Sequence, residues 1–312
     1  MAIYFLNIKT FGRSTGSSAP GAAAYRAGER IRDDRTGRIH DHSQRSDVLH
    51  KEILLPSRLA ADDVGWARDR SALWNTAESA ETRSNARVAR EYLVALPIEL
   101  SAGERLRLVQ GFSRELTERY GFALDLTVHA PRTFPGSDAR NFHAHLLATT
   151  RQAGIEGLGP KTALELNDAA RRSLGLEPVI QELVFARERW ATMSNEALRE
   201  ARVSARIDHR SLAEQGIDRE PRPQIPRAAF EMERHGYRSV VAQRMREAFE
   251  ERSRERLQRD AEPVPPGKPR SLEEIRREAR ENWLRMRSGL EPEKPRDSSR
   301  ENADDLSRDA GE

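Results

Sequence analysis

Two stretches of this 312-residue chain alternate apolar and polar residues, and only a short turn-rich segment separates them. In Phe122-Ala123-Leu124-Asp125-Leu126-Thr127-Val128-His129, the residues Phe122, Leu124, Leu126 and Val128 fall on one side and Asp125, Thr127 and His129 on the other. The second stretch, Asn141 to Arg151, carries His143 and His145 at a spacing of two, so both imidazoles project from one face of a strand. Between them Pro135-Gly136-Ser137-Asp138 supplies turn chemistry, and the pattern predicts an antiparallel hairpin. Paired without a bulge, the strands put His129 across from His143 or His145, with all three rings on a common face. A lone histidine on a strand is more often a hydrogen-bonded or packing residue than a ligand. Three on one face suit a first-row divalent metal and leave positions open for water or a substrate phosphate.

The rest of the chain supplies a sheet and helices for that hairpin to join. Ala2 to Lys9 reads as an opening strand, and 12–18 as a Gly/Ser loop. An alanine-rich helix then runs through Arg30, with Ser17 or Ser18 as its cap, Pro20 near its start and Tyr25 along it. Residues 33–47 are polar and turn-like, and Val48 to Leu55 reads as a strand ending at Pro56. Asp62 to Arg90 reads as one long helical stretch carrying Trp66, Leu73 and Trp74, and Glu91 to Pro97 as a strand. Ser101 and Glu104 form a capping-box pattern ahead of Leu106, Val109, Phe112, Leu116 and Tyr120 at helical spacing, closed by Gly121. Gly157 to Thr162 opens a further helical region, and 177–205 reads as an amphipathic helix containing Trp190.

After about residue 215 the composition changes to linker-like Arg219-Glu220-Pro221-Arg222-Pro223 and then to runs of Arg, Glu, Asp and Ser. With 33% charged and 37% hydrophobic residues and a mean hydropathy of −0.78, part of the chain is expected to be solvated. The organisation expected is a domain over 1–220 and a charged, helical or disordered extension over 221–312. No cysteine occurs, which excludes disulfides, thiolate catalysis and cysteine-held zinc and fits a reducing cytoplasm. The first apolar run is too short for a signal peptide, and no stretch reaches membrane-spanning length, so a soluble protein without membrane insertion is expected. A net charge of +3 does not by itself establish a nucleic-acid partner.

Tyr25 is the candidate nucleophile. A phenol attacks poorly at its ordinary pKa near 10, so it needs a nearby base or an electrophile polarised by a cation. A metal on His129, His143 and His145 would polarise a phosphodiester, and the tyrosine oxygen would replace one DNA oxygen on phosphorus, leaving a 5′-phosphotyrosine and a free 3′-hydroxyl. On composition alone, an aromatic residue on an alanine-rich helix packs more often than it reacts. Tyr4 and Tyr92 sit on strands, Tyr120 ends a helix, and Tyr237 lies in the charged region. His40-Asp41-His42 repeats the paired spacing in a polar stretch with no apolar face and reads as a decoy. Gly159-Pro160-Lys161-Thr162 looks like the end of a phosphate-binding loop, but proline stands where glycine precedes lysine.

Several separated segments together are similar to the MobA/MobL family of plasmid mobilisation relaxases in the HUH endonuclease superfamily. They are Met1-Ala2-Ile3-Tyr4, the Ala-Tyr25-Arg helix, Asn85 to Glu91 running into Ala95-Leu96-Pro97, the Asn-x-His-x-His strand, Gly157 to Lys161, and Ala205 to Leu212. The resemblance covers roughly 1–220. It implies an α+β two-layer sandwich, an antiparallel sheet of about five strands packed with helices. It also implies a three-histidine site for Mg or Mn on His129, His143 and His145, and a catalytic tyrosine at Tyr25. The family's acidic residue falls on Glu91, either activating the tyrosine or tuning a histidine. Leu93 stands where some relatives carry a second acid, which weakens a two-carboxylate mechanism, and Phe142 stands where proline is common. The implied partner is single-stranded DNA at a transfer origin, with Arg26, Arg30, Arg87 and Arg151 as candidate phosphate contacts. The charged extension would serve DNA, relaxosome accessory proteins or a type IV secretion coupling protein, in a bacterial cytoplasm or translocated with DNA to a recipient cell. Rival readings are a rolling-circle replication initiator of the same superfamily, disfavoured by the long helix from Asp62 and by the amino-terminal tyrosine, a zinc hydrolase, and a non-catalytic DNA-binding module.

Overall fold

A computed structural model describes residues 3–60, 63–131 and 138–261, with 273, 276–277, 280–281 and 283–284. The expected start of a helix at Asp62 and the Pro135-Gly136-Ser137 turn lie outside the described residues, as do 262–272 and most of 274–312. In chain order the first unit runs β1 (Leu6–Gly12), α1 (Ala19–Ala27), β2 (Arg30–Arg32), β3 (Ile39–Asp41), β4 (Val48–Leu54), α2 (Gly65–Arg68), α3 (Arg70–Ser79), β5 (Arg87–Ala95) and α4 (Ala102–Tyr120). It continues with β6 (Phe122–His129), β7 (His143–Ala153), β8 (Leu158–Lys161), α5 (Asp168–Ser173), α6 (Val179–Glu200) and α7 (Arg227–Arg234), while α8 (Val240–Ala261) belongs to a second unit. Among the described residues no helix is long and apolar enough to cross a membrane.

The expected antiparallel sheet forms in the order β1-β5-β7-β6-β4, with β8 paired to the far end of β7. β6 is buried at every position, which alternation alone does not require. The reason is that helices cover both faces. Leu124, Leu126, Val128, Leu146 and Tyr92 pack in one core with Phe112 and Leu116 of α4 and Trp190 of α6. Ala123, Leu147 and Val88, from the opposite face, pack with Ala23 and Ala24 of α1 and Leu73 and Trp74 of α3. On this second face Asp125 accepts hydrogen bonds from Arg70 at 2.8 Å and from the Trp74 indole at 3.0 Å, which fastens α3 to β6.

Against the sequence expectation, β1 runs Leu6–Gly12 in place of Ala2 to Lys9, β3 falls inside the stretch read as turn-like, and three further segments differ. The described part of the expected long helix, 63–90, is broken into α2, α3 and a turn, and Arg87 to Arg90 are extended because Val88 and Ala89 are buried in β5 between β1 and β7. Arg30 lies in the β2–β3 hairpin, since α1 ends at Gly28, which adopts φ 62° and accepts no side chain there without strain. The segment after Gly157 is a strand, turned back on β7 by a Gly154 N–H to Gly157 carbonyl bond of 2.8 Å.

Candidate metal centre and nucleophile

The register of β6 against β7 places His129 opposite His143 and Thr127 opposite His145, so all three imidazoles emerge on the second face. Their ring centroids lie 4.8 to 5.3 Å apart, and one ligand atom from each falls within 4.8 Å of the others. Each ring has one nitrogen committed as a donor. His129 Nε2–H donates to the Arg26 carbonyl at 2.8 Å, His143 Nδ1–H to the Asn141 carbonyl at 2.9 Å, and His145 Nδ1–H to Glu91 Oε1 at 2.7 Å. Carbonyl and carboxylate oxygens only accept, so in the neutral rings the tautomers are set, and the acceptor nitrogens are His129 Nδ1, His143 Nε2 and His145 Nε2. Burial, with the neighbouring imidazoles, pushes His129 down to about 3; burial also lowers His145 to about 4 against the opposing pull of Glu91. Both are therefore neutral at physiological pH, which is the form that binds a metal, and the group could hold one.

β5 adds the carboxylate. Leu93 is directly across from His145, and Glu91 lies two residues along on the same face, the diagonal position from which a long side chain reaches a neighbour. Fully buried, Glu91 meets His145, the Arg26 guanidinium and Lys9 Nζ at 2.8 Å. Burial alone would raise its pKa, but the His145 hydrogen bond and the Arg26 charge outweigh it and hold the carboxyl well below the usual range. The contacts of Glu91 thus act on the site through His145.

α1 carries Tyr25 to the same place. Ser18 caps it by accepting from Gly21 N–H, and its first N–H, on Ala19, donates to the buried Glu78 at 2.8 Å. At the other end Arg26 ties the helix to the centre twice, by its carbonyl to His129 and by its guanidinium to Glu91. Tyr25 is 40% exposed, with the His42 ring edge-on at 5.2 Å and the Arg45 guanidinium over its face at 4.5 Å. Arg45 also donates to the Tyr25 carbonyl and, at 3.2 Å, to His129 Nδ1. Tyr25 and His129 therefore share one guanidinium.

The candidate phosphate contacts separate into two kinds. Arg26 is corrected by its burial: it is an internal partner of Glu91, stacked over Phe11, and not a surface contact. Arg151 is spoken for by Glu81 at 2.8 Å and the Gly159 carbonyl. Arg30 and Arg87 are exposed, each 3.7 Å from an acid, Asp41 and Glu165. Lys9, His42, Arg45 and Asp47 went unnoticed in the sequence as site residues. His42 was visible only inside a spacing that reads as a decoy, and Arg45 lies in an aperiodic polar stretch far from its partner.

Comparison with known proteins gives a consistent result. Residues 17–235 match the MobA/MobL family. The chain is 38% identical over 278 residues to mobilization protein MobL of Acidithiobacillus ferridurans, covering 83% of this chain and 70% of that protein. It is 32% identical to a probable mobilization protein MobA of Bifidobacterium longum and 33% to mobilization protein A of Escherichia coli, over 79% and 77% of this chain. It spans only 47% and 31% of those two proteins. A solved structure from work on the molecular basis of vancomycin resistance transfer in Staphylococcus aureus superposes with a TM-score of 0.54 at 27% identity. That match covers 67% of this chain and 100% of the other.

Proposed function

Since the chain belongs to the MobA/MobL family, we propose that it is a relaxase, which nicks one DNA strand at a plasmid transfer origin and retains the cut end on Tyr25. The observation that carries this reading is three clustered imidazoles with assigned acceptor nitrogens beside the helix end that bears an exposed tyrosine. Bound by His129, His143 and His145, a divalent ion such as Mg or Mn would polarise the scissile phosphodiester as a Lewis acid. The Tyr25 oxygen forms a bond to phosphorus while the bond to the 3′ oxygen breaks, and the phenolic proton ends on that oxygen through solvent. One phosphodiester replaces another, so the step is nearly balanced and reversible.

Glu91 keeps the His145 imidazole in the tautomer that offers Nε2, and Arg26 and Lys9 keep Glu91 ionised in a buried position. A cavity of about 440 Å3 opens beside His143 and His145, walled by Phe5, Leu93, Ala95 and Phe142. Its apolar walls suit a nucleobase flanking the scissile phosphate, and the exposed Arg30 and Arg87 are proposed to meet the strand's phosphates. We assign the reaction to residues 1–220, and to 221–312 the contacts with DNA, accessory proteins or a secretion coupling protein, in a bacterial cytoplasm.

A rolling-circle initiator would run the same chemistry. The single long helix expected from Asp62 is broken and no longer counts against that rival, whereas the tyrosine preceding the histidine pair and the mobilization relatives still do. The test is incubation of a labelled single strand spanning the transfer origin with Mn or Mg. The wild type yields a protein-linked fragment, and Tyr25→Phe binds the strand without forming it. An adduct that persists in Tyr25→Phe reassigns the nucleophile; free 5′-phosphate ends formed by both proteins point to a hydrolase.

A further inference from the structure

Residues 42–47, between β3 and β4, wrap the exposed side of Tyr25, and Arg45 is their innermost side chain. Its guanidinium lies over the phenol ring, donates to the Tyr25 carbonyl, and places Nη2 3.2 Å from His129 Nδ1. Asp47 holds it from behind, with Nε to Oδ1 at 2.8 Å, and the Asp47 carbonyl accepts from Ala130 N–H at 2.8 Å, one residue beyond His129. The loop is thus fixed to the strand that carries the ligand, and the Arg45 side chain is only 11% exposed.

One atom in this arrangement has two claimants. His129 Nε2–H is committed to the Arg26 carbonyl, so the neutral ring has a single acceptor, Nδ1, and Arg45 fills it. A metal held by all three imidazoles needs that same lone pair. Guanidinium does not give up its proton in proteins, so Arg45 can yield the site only by moving. Resting on the proposed roles of His129 and Tyr25, we propose that Arg45 is a positioning residue that latches the nucleophile to the metal centre, and that metal and Arg45 compete for His129 Nδ1. With the imidazole released, the ring of Tyr25 and the carboxylate of Asp47 still hold the guanidinium, so the tyrosine stays placed while the metal enters.

The test uses the full chain and Mn2+ alone, titrated calorimetrically without DNA, followed by single-turnover adduct formation. Arg45→Met keeps the aliphatic stem, and Arg45→Met with Asp47→Asn also neutralises the carboxylate that loses its Arg45 contact, guarding against a folding defect. Both variants should bind Mn2+ about tenfold more tightly, the loss of one charge-assisted competitor. At saturating Mn2+ and DNA they should form adduct about tenfold more slowly with unchanged DNA affinity, as expected when a well-oriented group loses its restraint. In long-range 1H–15N spectra of the metal-free protein, the His129 Nδ1 signal should move to that of an unbonded acceptor. Equal or weaker Mn2+ binding in both variants, or an unmoved Nδ1 signal, overturns the latch. Mn2+ that binds the wild type and His129→Ala alike defeats the metal centre of the proposed function; binding that needs His129 but ignores Arg45 defeats the latch alone.

Discussion

Replacing Glu91 with glutamine separates two roles that one carboxylate performs. Glu91 is fully buried against Arg26, whose own side chain is 8% exposed, while its other cationic partner, Lys9, is 46% exposed. Lys9 can turn to water and contributes little, whereas Arg26 is left as a buried charge without its counter-ion, a loss of about 3–5 kcal/mol. For a folded unit of this size each kcal/mol shifts the melting temperature by about 2–4 °C, so Glu91→Gln should melt roughly 6–20 °C below the wild type in chelator. The amide can still accept from His145 Nδ1–H, but without the charge that raises the basicity of the ring, and Mn2+ affinity should fall about 10- to 100-fold. Adding Arg26→Met to Glu91→Gln removes the stranded cation. It should recover much of the melting temperature and none of the metal affinity, read by scanning calorimetry and Mn2+ titration on the same preparations. Recovery of both together, or no loss of either in Glu91→Gln, refutes the division of labour.

Acid should destabilise the metal-free protein through its buried imidazoles. His129 and His145 have folded pKa values below their unfolded value, so the unfolded chain binds more protons and stability falls as pH drops through about 6.5. From pH 7 to 5 this amounts to about 2 kcal/mol for each imidazole, and a melting temperature independent of pH in that window would contradict it. Arg30→Ser and Arg87→Ser should each reduce the slope of log affinity for single-stranded DNA against log salt by about 0.7; an unchanged slope removes them from the interface. Asp125→Asn takes from the buried Arg70 one of its two carboxylates, Glu29 remaining, and should cost about 2 kcal/mol, whereas Asp138→Asn, on an exposed ion pair, should leave the melting temperature unchanged.

The histidine hairpin was readable because its information is local: alternation fixes faces, and two strands so close in the chain pair antiparallel, which together bring His129 opposite His143. The start of α1 was equally readable from Ser18 and Pro20, whereas its end at Gly28 was not, the pattern carrying the helix on through Arg30. What was not readable depends on partners far along the chain. Arg87 to Arg90 fit a helical pattern by composition, but pairing with β1 and β7 makes them extended. Arg26 looks like any surface arginine until Glu91, 65 residues later, draws it inside. Arg45 meets His129 across 84 residues, and no periodicity records that meeting.

The helix that bears Tyr25 is pinned at both ends, at Ala19 by Glu78 and at Arg26 by His129 and Glu91. It therefore works as a ruler of fixed length. Inserting or deleting one residue between the pins would swing the phenol by about 100° around the axis, so the count of residues there is fixed, just as the small size of the buried Ala23 and Ala24 is fixed by packing.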